Sequence, residues 1–432
     1  MLALSLPIIG GMASQNVLNL VDTAMVGSLG DNALAGVGLA GFTTFMAVAF
    51  LMGMASGVQA MAARAVGAGD TERSALALNG GLVLAAIIGF PLAFCLWMTV
   101  QTWFAWLAPD AAVAATGTSY MAIRLLSVPA VGLNFAFRGY WNAVDLSRLY
   151  MRTLVIMHAL NIALSWTLIF GAFGAPALGV RGAAIGTVAA TWFGTCMYVW
   201  LGLRHAREAG FLAGLPSRER MFAMIRISMP AGLQQFLFAA GMTVFFWILG
   251  QIGTAELAAG SVVLNLMLVA ILPAIGFGLA AATLVGQSLG AGDPKEAAAW
   301  GWRVSRLATV VVGVIVLPQL LYPDAVLGLF IHSADTIEIA RWPLRLAAAG
   351  AAIDATGSVL MNAHLGAGSA RRVMLVSVAG QWGFFLPLAY LLGPVLGYGL
   401  LAIWILYSLY RLLLVAAFSL SWRGGSWSNV GL

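Results

Sequence analysis

Apolar segments of nearly uniform length, separated by short polar stretches, set the pattern of this chain. About 20 apolar residues suffice for a helix to cross a bilayer, and twelve such segments occur along the sequence. The first six run approximately from Leu2 to Val26, Leu34 to Ala62, Leu76 to Val100, Tyr120 to Trp141, Leu154 to Ala172 and Ala183 to Leu203. An arginine-rich stretch with Gly210, Gly214 and Pro216 follows, carrying the composition of a connector. Six more then run from Met229 to Leu249, Leu257 to Val285, Val304 to Tyr322, Leu344 to His364, Val373 to Leu392 and Leu400 to Leu420. The pattern predicts an all-α integral membrane protein with twelve transmembrane helices. Its halves are an N-lobe over 1–203 and a C-lobe over 227–432, joined by a cytoplasmic linker over 204–226.

An internal repeat supports the two halves. Pro7 to Asp70 aligns without a gap on Pro230 to Asp293, pairing Gly27 with Gly250, Gly30 with Gly253, and Gly67-Ala68-Gly69-Asp70 with Gly290-Ala291-Gly292-Asp293. Six spans separate the copies, so both enter the membrane from the same side and the repeats are parallel. The repeated Gly-Ala-Gly-Asp lacks the strand, the glycine spacing and the lysine of a phosphate loop. Turn chemistry accounts for it instead: glycine closes one helix, and Asp293, Pro294 and Glu296 supply an N-cap, a first-position proline and an acidic third position for the next.

Composition narrows the class. Hydrophobic residues make up 62% and charged residues 8%, against about 25% charged in soluble domains, so a nucleic-acid partner is not implied by the net charge of +6. Where the charges lie is more informative. With the N-terminus in the cytoplasm, Arg148, Arg152, Arg204, Arg218, Arg371, Arg372 and most other basic residues fall in cytoplasmic loops, and the outer loops keep Arg181 and Arg341. The positive-inside rule then places both termini in the cytoplasm. Arg124, Arg345 and Arg411 are expected near helix ends, snorkelling to the interface. Cys95 and Cys196 lie far apart in apolar segments, and His158, His205, His332 and His364 have no ligand spacing, with His205 and His332 expected in loops. Neither a disulfide framework nor a metal site is indicated. No cleavable signal peptide precedes the first segment, which is expected to remain as a span.

Chemistry is expected where polarity interrupts the apolar spans. Gln15, Asn19 and Asp22 fall at i, i+4 and i+7, so three polar side chains line one face of the first span. An ionised Asp at the centre of a membrane helix costs about 2.5 to 3.5 kcal/mol, so that face belongs against protein or a wet cavity. Asp354 is the other acidic residue well inside a span, with Ser358 and Asn362 following on its face. Asn134, Asn161, Ser165, Gln234, Gln235, Asn265, Gln287 and Gln381 are further intramembrane polar residues, each serving as interhelical glue or as a ligand. A carboxylate in an apolar cavity can bind and release a proton, or exchange it for a cation, at working pH.

These residues carry a resemblance to the multidrug and toxic compound extrusion (MATE) transporters over essentially the whole chain. It rests on Pro7, Asn19-Leu20-Val21-Asp22-Thr23 and Gly27, on Gly67-Ala68-Gly69-Asp70 with its repeat, and on Arg138-Gly139, Asn161-Ile162, Ile169-Phe170-Gly171, Pro176-Ala177-Leu178-Gly179-Val180 and Asp354-Ala355. The resemblance implies two six-helix lobes around a V-shaped central cavity and secondary antiport, with organic, cationic or amphipathic compounds leaving as protons or sodium enter. It makes Asp22 and Asp354 the ion-coupling residues. Gln15, Asn19, Asn161, Ser165, Gln234, Gln235 and Ser358 become substrate- or cation-binding candidates, and Pro7 a bending point of the first helix. Ser165 stands where many relatives have a second acid, and the seventh span has Phe238 beside Gln234 and Gln235 where sodium-linked members have glutamate. Protons are therefore favoured over sodium, and the DinF-like branch over the NorM-like one. The reading expects a monomer in the bacterial cytoplasmic membrane, its partners small organic substrates and the lipid bilayer, with no cofactor beyond the coupling ion. A lipid-intermediate flippase of the same superfamily is the alternative, with Arg124 and Arg345 as its basic groups. An enzyme is not expected, since no nucleophile and base recur together.

Overall fold

A computed structural model of the chain describes residues 1–108, 111–331 and 333–428, including their side chains except those of Arg73 and Thr254. His332 lies outside the described residues. Among the described residues, twelve helices are long and apolar enough to cross a membrane, matching the twelve apolar segments one for one, and no strand occurs. They are α1 (Leu2–Gly27), α2 (Asp31–Gly67), α3 (Ser74–Leu107), α4 (Ala111–Ala143), α5 (Ser147–Phe170), α6 (Val180–His205), α7 (Arg218–Ile252), α8 (Ala255–Gly290), α9 (Pro294–Ile315), α10 (Ala334–Gly366), α11 (Ala370–Val395) and α12 (Gly399–Arg423). The chain is a multi-pass membrane protein.

Several helices begin about ten residues before their apolar segments. Hydropathy marks the length of helix that suits lipid, whereas helix length is set by caps and breakers. Asp293 caps α9 by accepting a hydrogen bond from the Glu296 amide at 2.8 Å, with Pro294 in the first turn. Lys295, Arg303 and Arg306 therefore sit on helix, and so do Arg218, Arg220 and Arg226 at the start of α7. His205, expected in a loop, is the last residue of α6. Prolines interrupt the regular pattern: α4 tightens to a 3-10 turn at Leu125–Ser127 before Pro129, and π-helical turns at Ala379–Phe385 and Leu391–Val395 in α11 accompany Pro387 and Pro394. The two Gly-Ala-Gly-Asp turns have the same conformation. Gly69 and Gly292 both adopt φ +77°, and the Asp70 and Asp293 amides each reach back across the turn, to the Ala65 and Ser288 carbonyls.

The chain forms two compact units, one of Leu6–Gly232 and one of Met1–Ser5 with Leu233–Leu432. Within the first, the stretch after α6 is held in place. The Asn79 side chain on α3 donates to the Gly210 and Gly214 carbonyls at 2.9 and 2.7 Å and accepts from the Leu212 amide at 3.1 Å, while Phe211 is buried. Phe137 of α4 stacks on Tyr198 of α6 and on Trp141. In the second unit, Phe245, Phe385, Trp404, Tyr407 and Tyr410 form an aromatic core across α7, α11 and α12. Polar side chains join neighbouring helices as expected of glue. Thr195 donates to Asn134 at 2.9 Å between α6 and α4, and Gln381 of α11 donates to the Phe238 carbonyl of α7 at 3.3 Å.

Small residues let backbones approach. A Cβ at Gly139 on α4 would overlap the Ala55 carbonyl oxygen of α2, whereas one at Gly38 would meet nothing within 4 Å. Gly139→Val should therefore destabilise the protein by about 1–3 kcal/mol through overpacking, and Gly38→Ala should be neutral or slightly stabilising. Thermal unfolding in detergent tests the pair; equal midpoints would show that the α2–α4 approach is not tight.

Candidate ion and substrate sites

In the Leu6–Gly232 unit the polar strip of α1 is wired to α5. Pro7 lies inside α1, where it removes one backbone hydrogen bond. Beyond it, Gln15 donates to Asn19 Oδ1 at 3.1 Å, and its Oε1 lies 3.0 Å from Nε2 of His158. Nδ1 of the same ring is 2.9 Å from Ser14 Oγ, which is also 2.8 Å from the Gly11 carbonyl. An amide oxygen only accepts, so the His158 Nε2–H donates to Gln15. The Ser14 hydroxyl then points to Nδ1 of a neutral ring, or to the Gly11 carbonyl while a charged ring donates to Ser14. Either state is satisfied by rotating one hydroxyl, with no heavy atom displaced. His158, Asn161 and Ser165 follow one another on a buried face of α5, and Ser165 donates to Asn161 Oδ1 at 3.0 Å.

Asp22 ends this strip, two turns beyond Gln15. It is half-buried, and its Oδ1 is buried with no hydrogen-bond partner among the described residues. The charge that acts on it is Arg124 of α4, which also acts on the buried Tyr120 one turn earlier. Arg124 ends the α-helical run Ala111–Arg124, and the span continues past it through the 3-10 turn Leu125–Ser127. The membrane-crossing segment extends from Ala111 to Ala143, which puts Arg124 well inside it, and its Nε is buried.

The other unit treats its carboxylate differently. Asp354 on α10 is gripped by Arg411 on α12, with Nε donating to Oδ1 at 2.7 Å and Nη2 to Oδ2 at 2.5 Å. The side chains are 14% and 23% exposed. Arg411 was expected to snorkel from a helix end, but it lies mid-way along the 25-residue α12, too far from either end to reach an interface, and its charge is met by Asp354. The pair borders a cleft with Met267, Gly350, Ala351, Tyr407 and Ser408 on its walls. Ser358 is half-buried on the same helix, its carbonyl accepting from Asn362 at 2.9 Å. Gln234 is buried and Gln235 half-buried on α7. Arg345, the remaining basic candidate, lies over the Trp342 ring at 5.2 Å.

The structure thus joins Gln15 and Asn19 to His158, and Asn161 to Ser165. It adds three residues to which sequence reasoning gave no role at the sites: His158, Tyr120 and Arg411. The i, i+3, i+7 spacing of His158, Asn161 and Ser165 was a signal available in the sequence. Nothing in the sequence paired Arg411 with Asp354.

Among the described residues, twelve helices long and apolar enough to cross a membrane, in two halves each with an intramembrane carboxylate near an arginine, have the make-up of a polytopic transporter. The MatE family model matches residues 7–167 and 230–391, beginning at the repeat-equivalent Pro7 and Pro230, and the chain belongs to the MatE family. It is 30% identical over 415 residues to the multidrug resistance protein NorM of Burkholderia vietnamiensis, covering 93% of this chain and 88% of the relative. It is 26% identical to a probable multidrug resistance protein NorM of Thermotoga maritima, covering 94% and 88%. The DinF-like branch was favoured from the residues; these relatives carry the name NorM. The fold is shared with a multidrug resistance MATE family transporter of the MOP superfamily in an outward-facing conformation, at TM-score 0.90 and 20% identity over 100% of this chain and 96% of that one. It is also shared with a MOP superfamily transporter from Pyrococcus furiosus, at TM-score 0.88 and 21% identity over 98% and 94%.

Removing one partner of a shielded ion pair leaves the other uncompensated, a loss of about 3–5 kcal/mol. Arg411→Gln should accordingly lower stability by about 3 kcal/mol, and Asp354→Asn in the same chain should recover most of that loss. Chemical unfolding of the single and double variants in detergent measures the coupling; strictly additive losses would show that the pair contributes nothing as a unit.

Proposed function

We propose that this MatE transporter exports organic cationic or amphipathic compounds across the bacterial cytoplasmic membrane in exchange for protons, as a monomer with both termini in the cytoplasm. The observation that carries the reading is the Asp22 carboxylate, half-buried in an apolar helix with one buried oxygen that has no hydrogen-bond partner among the described residues. Such a group is free to take a coupling ion. The multidrug resistance names of the relatives support the substrate class, and the NorM name weighs toward the NorM-like side of the family.

Protonation removes the Asp22 charge and with it the attraction to Arg124. A changed balance of this kind shifts the helix arrangement only if the two arrangements differ in their affinity for the proton, and α1 has two features that let them differ. Pro7 gives the helix a place to bend, and the Gln15–Asn19–His158 chain ties its polar strip to α5. Asn161 and Ser165 continue the buried polar face of α5 beyond His158 and are binding candidates that a rearrangement of the helices would have to uncover. In this reading Asp22 is the driving residue and Asp354 the lesser one, with Gln234, Gln235 and Ser358 as further binding candidates in the second unit.

Asp22→Asn keeps the shape of the side chain but cannot titrate, so export by that variant should fall to background while the purified protein stays folded. In vesicles loaded with a fluorescent cation, an uncoupler should stop wild-type export and removal of sodium should not. Export that survives the uncoupler and requires external sodium would overturn proton coupling; wild-type export by Asp22→Asn would remove Asp22 from the mechanism.

A further inference from the structure

Each unit carries a carboxylate within a span and near an arginine, Asp22 toward the end of α1 and Asp354 well inside α10, yet the two are closed to different degrees. We propose that Arg411 is a tethered counter-cation that occupies the place a free monovalent cation would take on Asp354, so that ion specificity is set at Asp22 alone. The proposal rests on the reading of this chain as an ion-coupled exporter and assigns that chemistry to one unit.

The geometry carries the argument. A coupling ion needs a carboxylate oxygen without a resident partner, and both Asp354 oxygens already accept an N–H from one planar guanidinium. That guanidinium stays charged at every working pH, so it does not leave by losing a proton. It is also tied to the middle of α12, with Tyr407, Ser408 and Val415 of the same helix lining the cleft, so it does not diffuse away. Displacing it with a sodium ion would strand a cation among Met267, Leu346, Ala347 and Ala351, a worse state than the pair.

The cleft offers a newcomer little in return. A hard cation is held by several oxygen ligands, and among the described residues only Tyr407 and Ser408, besides Asp354, bring side-chain oxygens to its walls. Ser408 already donates to the Trp404 carbonyl at 2.9 Å. Asp22 presents the opposite case: Arg124 acts on it through the field without bonding to it, and its Oδ1 is unpartnered. Arg411 is thereby a specificity-determining residue, one that acts by excluding an ion.

Binding of radiolabelled sodium to the purified full-length protein in detergent tests this without requiring transport. Wild type should show no saturable sodium binding that depends on Asp354. Arg411→Gln should gain a saturable component, which the double variant Asp354→Asn with Arg411→Gln should lose. Arg411→Lys, whose ammonium still neutralises the carboxylate, should remain sodium-free. Uptake by Arg411→Lys equal to that of Arg411→Gln, or a folded Arg411→Gln that gains none, would overturn the proposal. Should Arg411→Gln not survive purification, wild type decides: saturable binding abolished by Asp354→Asn overturns the proposal, and its absence from both sustains it. Failure of proton coupling would appear instead in the vesicle measurements, as insensitivity to the uncoupler, so the two readings fail separately.

Discussion

A charge within the apolar part of a membrane protein has to be compensated inside the protein, because lipid offers neither water nor counter-ion. Much of what distinguishes the two halves of this chain follows from how each meets that demand. In one, the Asp354 carboxylate is neutralised by a two-pronged guanidinium. In the other, Asp22 keeps a buried oxygen unbonded and feels Arg124 only at a distance. The first arrangement is closed and the second leaves a carboxylate oxygen unpartnered among the described residues, and that difference is the physical basis of the proposal that Asp22 is the driving residue.

The repeat makes the asymmetry sharper. Asp22 and Phe245 are equivalent positions, and Phe245 is fully buried among Phe385, Trp404 and Tyr407. The second unit thus filled the site of the carboxylate with an aromatic core and carries its own charge on α10, against α12. Backbone features survived the divergence better than chemistry. The two Gly-Ala-Gly-Asp turns retain the same glycine φ, since a left-handed turn between helices restricts the residue, whereas a mid-helix side chain is free to change wherever its partners change with it.

The polar strip of α1 owes its order to a neighbouring helix. Gln15 and Asn19 alone would be a pair of amides on an exposed face. His158 turns them into part of a chain that runs from Ser14 to Asn19 and remains satisfied whether or not the ring is charged. The proline near one end of α1 removes a backbone hydrogen bond, and the chain further along ties the helix to α5.

The number of spans, their order, the repeat and the two carboxylates within spans were legible in the sequence because each rests on local rules: a bilayer's thickness fixes segment length, and charge stands out against apolar composition. Turn and cap chemistry at Asp293-Pro294 was legible for the same reason. Helix beginnings were not, since a helix continues past the lipid wherever a cap permits. Snorkelling, expected of Arg124 and Arg411, fails for both, since Arg124 lies well inside the Ala111–Ala143 span and Arg411 at the middle of α12. Only the packing of α12 on α10 decided that Arg411 closes Asp354, and only that of α5 beside α1 decided that His158 completes the Gln15 strip. These partners lie 57 and 143 residues apart, and pairing across such distances depends on which helix faces meet, which periodicity along one helix does not specify.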